Sequence, residues 1–319
     1  MGAFKPLLIV LMLGASWITP PTFAQAKPLA SLTTAPNAAV DLSKHQFVKE
    51  TAHFLIYKIN ESPLEERETA ALIDILENSY TSVQVLLNNF SPQNMPKISI
   101  LLNGDGMPAG KMPNYPNVDQ KTGAITLYRY MGPAPAYSSG LPHELVHAMR
   151  LNFIRHHIDD LDDYSKGAGF IEEGFAEYVA QLISPTSMTF PSYGFPLTIA
   201  TGYWLSTNTD IPLKVLFEKH AINPSCVAQA YPLRASFMRF LDQEYGREKL
   251  LNLAYSTEKV SLEMFEQLYG RSFEDLAKQW RSKANQEFQD FPNMPNLLKA
   301  YLEKTPIRYF PVCQAGKQW

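Results

Sequence analysis

Cysteine, clustered positive charge and long apolar runs are all scarce in this sequence. Only two of its 319 residues are cysteine, 18% are charged, and the formal net charge is −3 with no block of Lys or Arg. Proteins that bind nucleic acids usually present a basic face, so this class is disfavoured. The sequence also lacks a glycine-rich phosphate-binding loop and the Gly-x-Ser-x-Gly elbow of many serine hydrolases. With 45% hydrophobic residues, it is typical of a globular protein.

The one extended apolar run follows the N-terminus. Residues 6–18 are predominantly apolar, Lys5 precedes them, and the small-residue stretch 22–26 follows. This order predicts a secretory signal peptide over residues 1–24, with cleavage after Ala24 or after Ala26. A membrane anchor is the alternative, although the run is shorter than the roughly 20 residues that span a bilayer. We therefore expect an exported protein, periplasmic or secreted, without a stable membrane span.

Export also bears on the two cysteines, Cys226 and Cys313. Two cysteines of an exported protein can pair, and the pair would tie the C-terminus to the middle of the chain. The alternative is two unlinked buried thiols. Neither cysteine has the spacing of a metal-binding knuckle.

Hydrophobic patterns predict an α+β fold with a small mixed sheet and a helical C-terminal part. Strands are expected over 53–59, 97–102 and 123–130, and helical spacing of apolar residues predicts a helix over 62–87. A central pair of helices follows, and then helices over 212–220, 231–245, 247–255, 260–269 and 272–289. The predicted organisation is a linker over 25–44, an N-terminal subdomain over 45–210 and a helical subdomain over 211–319.

One short motif carries recognisable chemistry, because residues 143–147 read His-Glu-Leu-Val-His. Positions four apart share a face of a helix, so His143 and His147 can reach the same metal ion. Glu144 lies beside that face, where it can act as a general base toward a water molecule. Pro142 suits the first turn of such a helix. The alternative is an ordinary helix that carries two surface histidines.

A zinc ion needs a third protein ligand, and the next informative stretch offers candidates. Residues 170–178 read Phe-Ile-Glu-Glu-Gly-Phe-Ala-Glu-Tyr. At helical spacing Glu173 and Glu177 share a face with two alanines, whose small side chains permit close approach to the first helix. We predict Glu173 as the third ligand and Glu177 as the residue that hydrogen-bonds a ligating histidine, with Glu172 as the reserve ligand. The alternative is a solvated acidic helix start.

The two motifs together resemble the gluzincin metallopeptidases, the group whose catalytic core is shared by thermolysin and aminopeptidase N. The resemblance implies a zincin-like fold and a zinc ion held by His143, His147 and Glu173. It also implies hydrolysis of peptide bonds with Glu144 as the general base. It covers residues 50–290 loosely and is specific only at the two motifs.

The sequence departs from the family in two places. Residues 148–172 form a longer segment between the motifs than is usual, which a surface loop can absorb at little entropic cost. Aminopeptidases of the group carry Gly-Ala-Met-Glu-Asn upstream of the zinc helix, and its Glu grips the amine of the substrate. Here residues 123–127 read Gly-Ala-Ile-Thr-Leu. Thr126 cannot make the same charge-assisted contact, so a standard aminopeptidase is not expected, although this strand could still pair with an extended peptide.

The resemblance extends to Tyr231, which begins the stretch Tyr-Pro-Leu-Arg-Ala-Ser-Phe-Met-Arg-Phe-Leu. In the family a tyrosine at such a helix start donates to the developing oxyanion, and the alternative is a packing tyrosine.

The resemblance as a whole implies a peptide or protein substrate as the partner. Two other functions stay open: a catalytically weak peptide-binding or chaperone-like module that retains the fold, and a zinc hydrolase of another amide, such as a cell-wall peptide.

Overall fold

The computed structural model describes residues 40–60, 66–90, 95–105, 116–129, 140–155, 168–183, 196–206, 212–218, 227–258, 260–291, 293, 296–297 and 299–300. All of them belong to a compact unit that spans residues 35–319. The predicted signal peptide, most of the predicted linker, Cys226 and Cys313 lie outside the described residues. None of the helices described is both long enough and apolar enough to cross a bilayer.

The N-terminal elements build a five-stranded mixed sheet. Along the chain they are β1 (His45–Glu50), β2 (Phe54–Ile59), α1 (Glu66–Leu87), β3 (Ile98–Asp105), β4 (Asn117–Val118) and β5 (Ile125–Arg129). The strand order is β1-β2-β3-β5-β4. Strand β3 runs parallel to β2 and to β5, while β1 and β4 pair antiparallel at the two edges. Parallel neighbours need a crossover connection, and α1 lies in the one between β2 and β3.

The three predicted strands and the first predicted helix are confirmed. Buried and partly exposed residues alternate along the first part of each central strand, as expected for strands that cover a core. The buried residues are Phe54, Ile56, Ile98, Ile100, Leu102, Ile125 and Leu127. The helical stripe of α1 joins the same core through Leu72, Leu76, Tyr80, Val83 and Leu87.

The remainder of the described chain is helical, so the α+β class is confirmed in its coarse form. The helices are α2 (Leu141–Arg155), α3 (Ala168–Ile183), α4 (Leu197–Ser206), α5 (Leu213–Glu218), α6 (Val227–Tyr245), α7 (Arg247–Ala254), α8 (Leu262–Tyr269) and α9 (Phe273–Gln289). Helix α3 packs against both α2 and α6, and α4 packs against α6 and α9. These contacts bring the two sequence motifs into one layer of the molecule.

Three elements were not predicted, each for a local reason. Strand β1 is a mostly exposed edge strand without apolar alternation, and β4 has only two residues. Helix α4 buries apolar residues on several sides, so it shows no amphipathic period. Helix α6 begins four residues before its predicted start, which leaves Pro232 inside the helix.

Leu182, near the end of α3, is 44% exposed. The division into subdomains at residue 210 stays a prediction. Helices α3 and α4 precede that residue, and both pack directly against α6, which follows it.

Candidate metal centre

Helix α2 brings two histidines into the interior of the protein. It begins directly after Gly140, whose φ of 77° is accessible mainly to glycine, and Pro142 occupies its first turn as predicted. The side chains of His143 and His147 are only 9% and 12% exposed. Imidazoles this well buried require polar partners, and each of the two ring nitrogens on both residues has one.

The Nε2 atoms of the two histidines, called here the inner nitrogens, converge on a single point with one carboxylate oxygen. The Nδ1 atoms are the outer nitrogens. Nε2 of His143 lies 2.9 Å from Nε2 of His147. Oε2 of Glu173 lies 3.3 Å from the first of these nitrogens and 3.6 Å from the second. The three side chains form a group that could hold a metal ion, with ligand atoms that all lie within 4.8 Å of one another.

These distances fit a small divalent ion. Ligand atoms bound about 2.1 Å from a tetrahedral centre are roughly 3.4 Å apart, close to the observed separations. Oε2 of Glu173 is buried and has no hydrogen-bond partner among the described residues, so its lone pairs are available to a cation. Two imidazoles and a carboxylate are donors that suit zinc and neighbouring transition metals.

The outer nitrogen of His143, Nδ1, contacts the carboxylate of Glu177, as predicted from the sequence. Nδ1 of His143 lies 3.2 Å from Oε2 of Glu177, whose side chain is 1% exposed. The amide of Gln181 donates to the other oxygen of Glu177 at 3.1 Å. A carboxylate in this position favours the imidazole tautomer that keeps the Nε2 lone pair free for a metal.

The outer nitrogen of His147 faces a different carboxylate, Glu172. Oε1 of Glu172 lies 3.6 Å from Nδ1 of His147 and 3.2 Å from Nη1 of Arg150. The reserve ligand therefore lies on the opposite side of the imidazole from Glu173, and the group that could hold an ion does not include it. Sequence reasoning did not single out Arg150, because its partner is 22 positions away and belongs to another helix.

The charges of the cluster are strongly coupled. Burial lowers the pKa of His143, but the nearby carboxylates of Glu173 and Glu177 outweigh it and raise that pKa to about 9. Burial likewise opposes ionisation of Glu173, yet the two histidines hold its pKa well below the usual range. Arg150 and His147 overcome the burial of Glu172 and lower its pKa to about 2. The carboxylates of Glu172 and Glu173 are thus ionised, and they favour a positive charge near them.

Glu144 and Tyr231 lie beside this cluster. Glu144 is buried, and burial raises its pKa; the histidines oppose that shift, and the charges of Glu173 and Glu177 add to it. The ring of Tyr231 lies 5.9 Å from that of His143 between centroids. Burial and the neighbouring Glu173 raise the pKa of the Tyr231 phenol well above its usual range. Both groups therefore hold their protons more tightly than they would in water.

Helix α3 approaches α6 closely at a glycine, Gly174. A Cβ atom on Gly174 would lie 3.0 Å from Cβ of Arg234 and 3.1 Å from its backbone carbonyl. The glycine directly after Glu173 therefore permits close contact with α6, the helix that carries Tyr231. The two alanines predicted on the same helix, Ala176 and Ala180, are also fully buried.

The strand expected to receive an extended peptide is already partly paired. Thr126 and Ile125 of β5 pair with Asn117 and Val118 of β4. Along these residues β4 occupies the edge beside β5, and it packs against α2. Strand β4 was not predicted from the sequence, since two residues carry no recognisable strand pattern.

No family model matches this chain, and no curated protein is similar enough in sequence to count as a relative. The site geometry and the residue chemistry are therefore the basis for a functional assignment.

Proposed function

We propose that this protein is an exported, zinc-dependent metallopeptidase of the gluzincin type, with a zincin-like fold. Its zinc ion would be held by His143, His147 and Glu173. The observation that carries this proposal is the convergence of two Nε2 atoms and one carboxylate oxygen from α2 and α3, at separations of 2.9–3.6 Å.

Zinc in such a site supplies a Lewis acid that polarises a carbonyl and makes water acidic near neutral pH. Glu144 would take a proton from the attacking water and return it to the leaving amine. Its buried position beside the ligands and its raised pKa suit a group that must both accept and release that proton. Tyr231 would donate its phenolic hydrogen to the oxyanion.

The proposed substrates are peptides or proteins, and a standard aminopeptidase is not proposed. Thr126 provides no carboxylate for a substrate amine, and its backbone already pairs with Asn117. A binding module that merely retains the fold has no need of a buried carboxylate at position 144, which favours the enzyme over the catalytically weak alternative.

The proposal is tested by metal analysis combined with digestion of an unfolded protein. We expect bound zinc, proteolysis that a chelator abolishes, and recovery when zinc is added back. The matched control is Glu144→Gln, which preserves size and should keep zinc while losing about 10²–10⁴-fold in turnover. Full activity of Glu144→Gln would remove Glu144 from its role, and absence of bound zinc would refute the metal centre. Zinc binding without any turnover would favour the binding module.

A further inference from the structure

The two ligating histidines have outer partners of different construction. Glu177 behind His143 is almost fully buried and is bonded by the neutral amide of Gln181. Glu172 behind His147 is 27% exposed and is paired with the charged guanidinium of Arg150. The second arrangement contains an ion pair, and it also involves a residue outside α2 and α3, the two helices that carry the motifs.

Arg150 is fixed from the far side by the C-terminal part of the chain. It lies one turn after His147 on α2 and is 2% exposed. Its Nε donates to the carbonyl oxygen of Ala254 at 2.7 Å, and Ala254 is the last residue of α7. Its Nη1 is thereby held 3.2 Å from Glu172 in the first turns of α3. A planar guanidinium presents several donors in fixed directions, so it can bridge two acceptors in this way.

We propose that Glu172, held in place by Arg150, is the positioning residue for His147. At 3.6 Å its contact with Nδ1 is longer than a hydrogen bond, so the carboxylate acts on the imidazole electrostatically. Negative charge at Nδ1 favours the tautomer with hydrogen on that atom, which directs the Nε2 lone pair toward Glu173 and the ion. Arg150 offsets the cost of keeping this carboxylate ionised beside a buried imidazole.

This inference rests on the proposed metal centre and assigns distinct roles to two adjacent glutamates. Glu173 faces the inner nitrogen of His147, and Glu172 faces the outer one. The Glu-Glu pair at 172–173 therefore supplies one ligand and one orienting group. Because Arg150 also bonds Ala254, metal affinity should depend on the packing of α7.

The test is the zinc affinity of Glu172→Gln, measured by competition with a chromogenic chelator at a temperature where all variants are folded. We expect zinc to bind about 10-fold more weakly, within the 10–100-fold typical for an outer partner of a ligand. The comparison variant is Asp242→Asn. It removes another Arg–carboxylate ion pair, the one between Asp242 and Arg247, and alters the carboxylate to which Tyr178 donates a hydrogen bond. That variant should lose stability and keep its zinc affinity, as a purely structural residue would.

A spectroscopic measurement separates positioning from general damage. With ¹⁵N-labelled histidine in the zinc-loaded protein, Glu172→Gln should shift the Nδ1 signal of His147 and leave that of His143 in place, while Glu177→Gln should do the reverse. Unchanged zinc affinity together with an unchanged His147 signal in Glu172→Gln would overturn the inference and leave the metal centre intact. If His147→Ala also bound zinc as tightly as the parent protein, the proposed function itself would fail.

Discussion

Each histidine of the candidate centre uses its two nitrogens for different purposes. In His143 and His147 the Nε2 atoms point toward each other and toward Glu173, while the Nδ1 atoms face Glu177 and Glu172. This division leaves one lone pair per ring for an ion and assigns the remaining hydrogen to a carboxylate. Around these ligands, Glu144 and Tyr231 are the nearest groups with a chemical role in the proposed reaction.

Replacing Tyr231 by Phe tests its role as an oxyanion donor. We expect the variant to keep its zinc and its KM, and to lose about 10²–10³-fold in kcat, because one donor to a developing oxyanion is worth that much. Steady-state kinetics on a peptide substrate would measure the effect. The control is Tyr245→Phe on the same helix, whose hydroxyl donates to Gln279 at 3.2 Å. If both variants kept full kcat, Tyr231 would be a packing residue.

At the scale of elements, the site depends on how closely helices approach. Helix spacing accounts for His143 and His147 sharing a face of α2, but Glu173 reaches them only because α3 packs against α2 and α6. Gly174 makes the approach to α6 possible. A second close contact, between Gly202 of α4 and Phe288 of α9, joins the surrounding helices.

The contact at Gly202 yields a prediction about stability. A Cβ atom there would lie 2.2 Å from the ring of Phe288 and 2.5 Å from its Cβ, so Gly202→Ala must force the helices apart. We expect the free energy of unfolding to fall by about 1–3 kcal/mol, measured by urea denaturation.

The control for this prediction is the same substitution in a Phe288→Ala background. With the ring removed, only the contact with the Cβ atom of residue 288 at 2.5 Å remains, so Gly202→Ala should lower the free energy of unfolding by less than in the parent protein. An equal loss in both backgrounds would show that the clash with Phe288 is not the cause.

At the scale of the whole molecule, the candidate centre joins segments that are distant in sequence. The candidate ligands come from α2 and α3, Tyr231 comes from α6, and Arg150 connects α2 to the end of α7. An ion held at this point binds only the folded arrangement, since the unfolded chain does not bring these donors together. Metal binding is therefore linked to global stability.

Zinc should accordingly raise the melting temperature of the protein. Free zinc at 100 times its Kd adds about 2.7 kcal/mol to the free energy of unfolding, or roughly 4 °C for a chain of this size. Differential scanning calorimetry with zinc and with a chelator would measure the shift. His147→Ala should melt at the same temperature in both conditions, and a zinc-dependent shift in that variant would place the ion elsewhere.

Much of the fold was predictable because it is encoded locally. The stripe of α1 and the alternation in β2, β3 and β5 are visible in the sequence, and so is the capping of α9. There Ser272 accepts a hydrogen bond from the backbone of Asp275 at 3.2 Å. Elements without such a signal, β1, β4 and α4, were missed because tertiary burial and strand pairing determine them.

The candidate donors could be identified from the sequence alone, since positions four apart on a helix share a face whatever surrounds it. The sequence also identified Glu173 and Glu177 through their common helical face. Three relations became visible only in the folded chain: Glu172 faces Nδ1 of His147, Arg150 bonds both Glu172 and Ala254, and β4 pairs with part of β5. Those relations depend on the distances and rotations between elements, which side-chain packing sets across the whole molecule and no local period records.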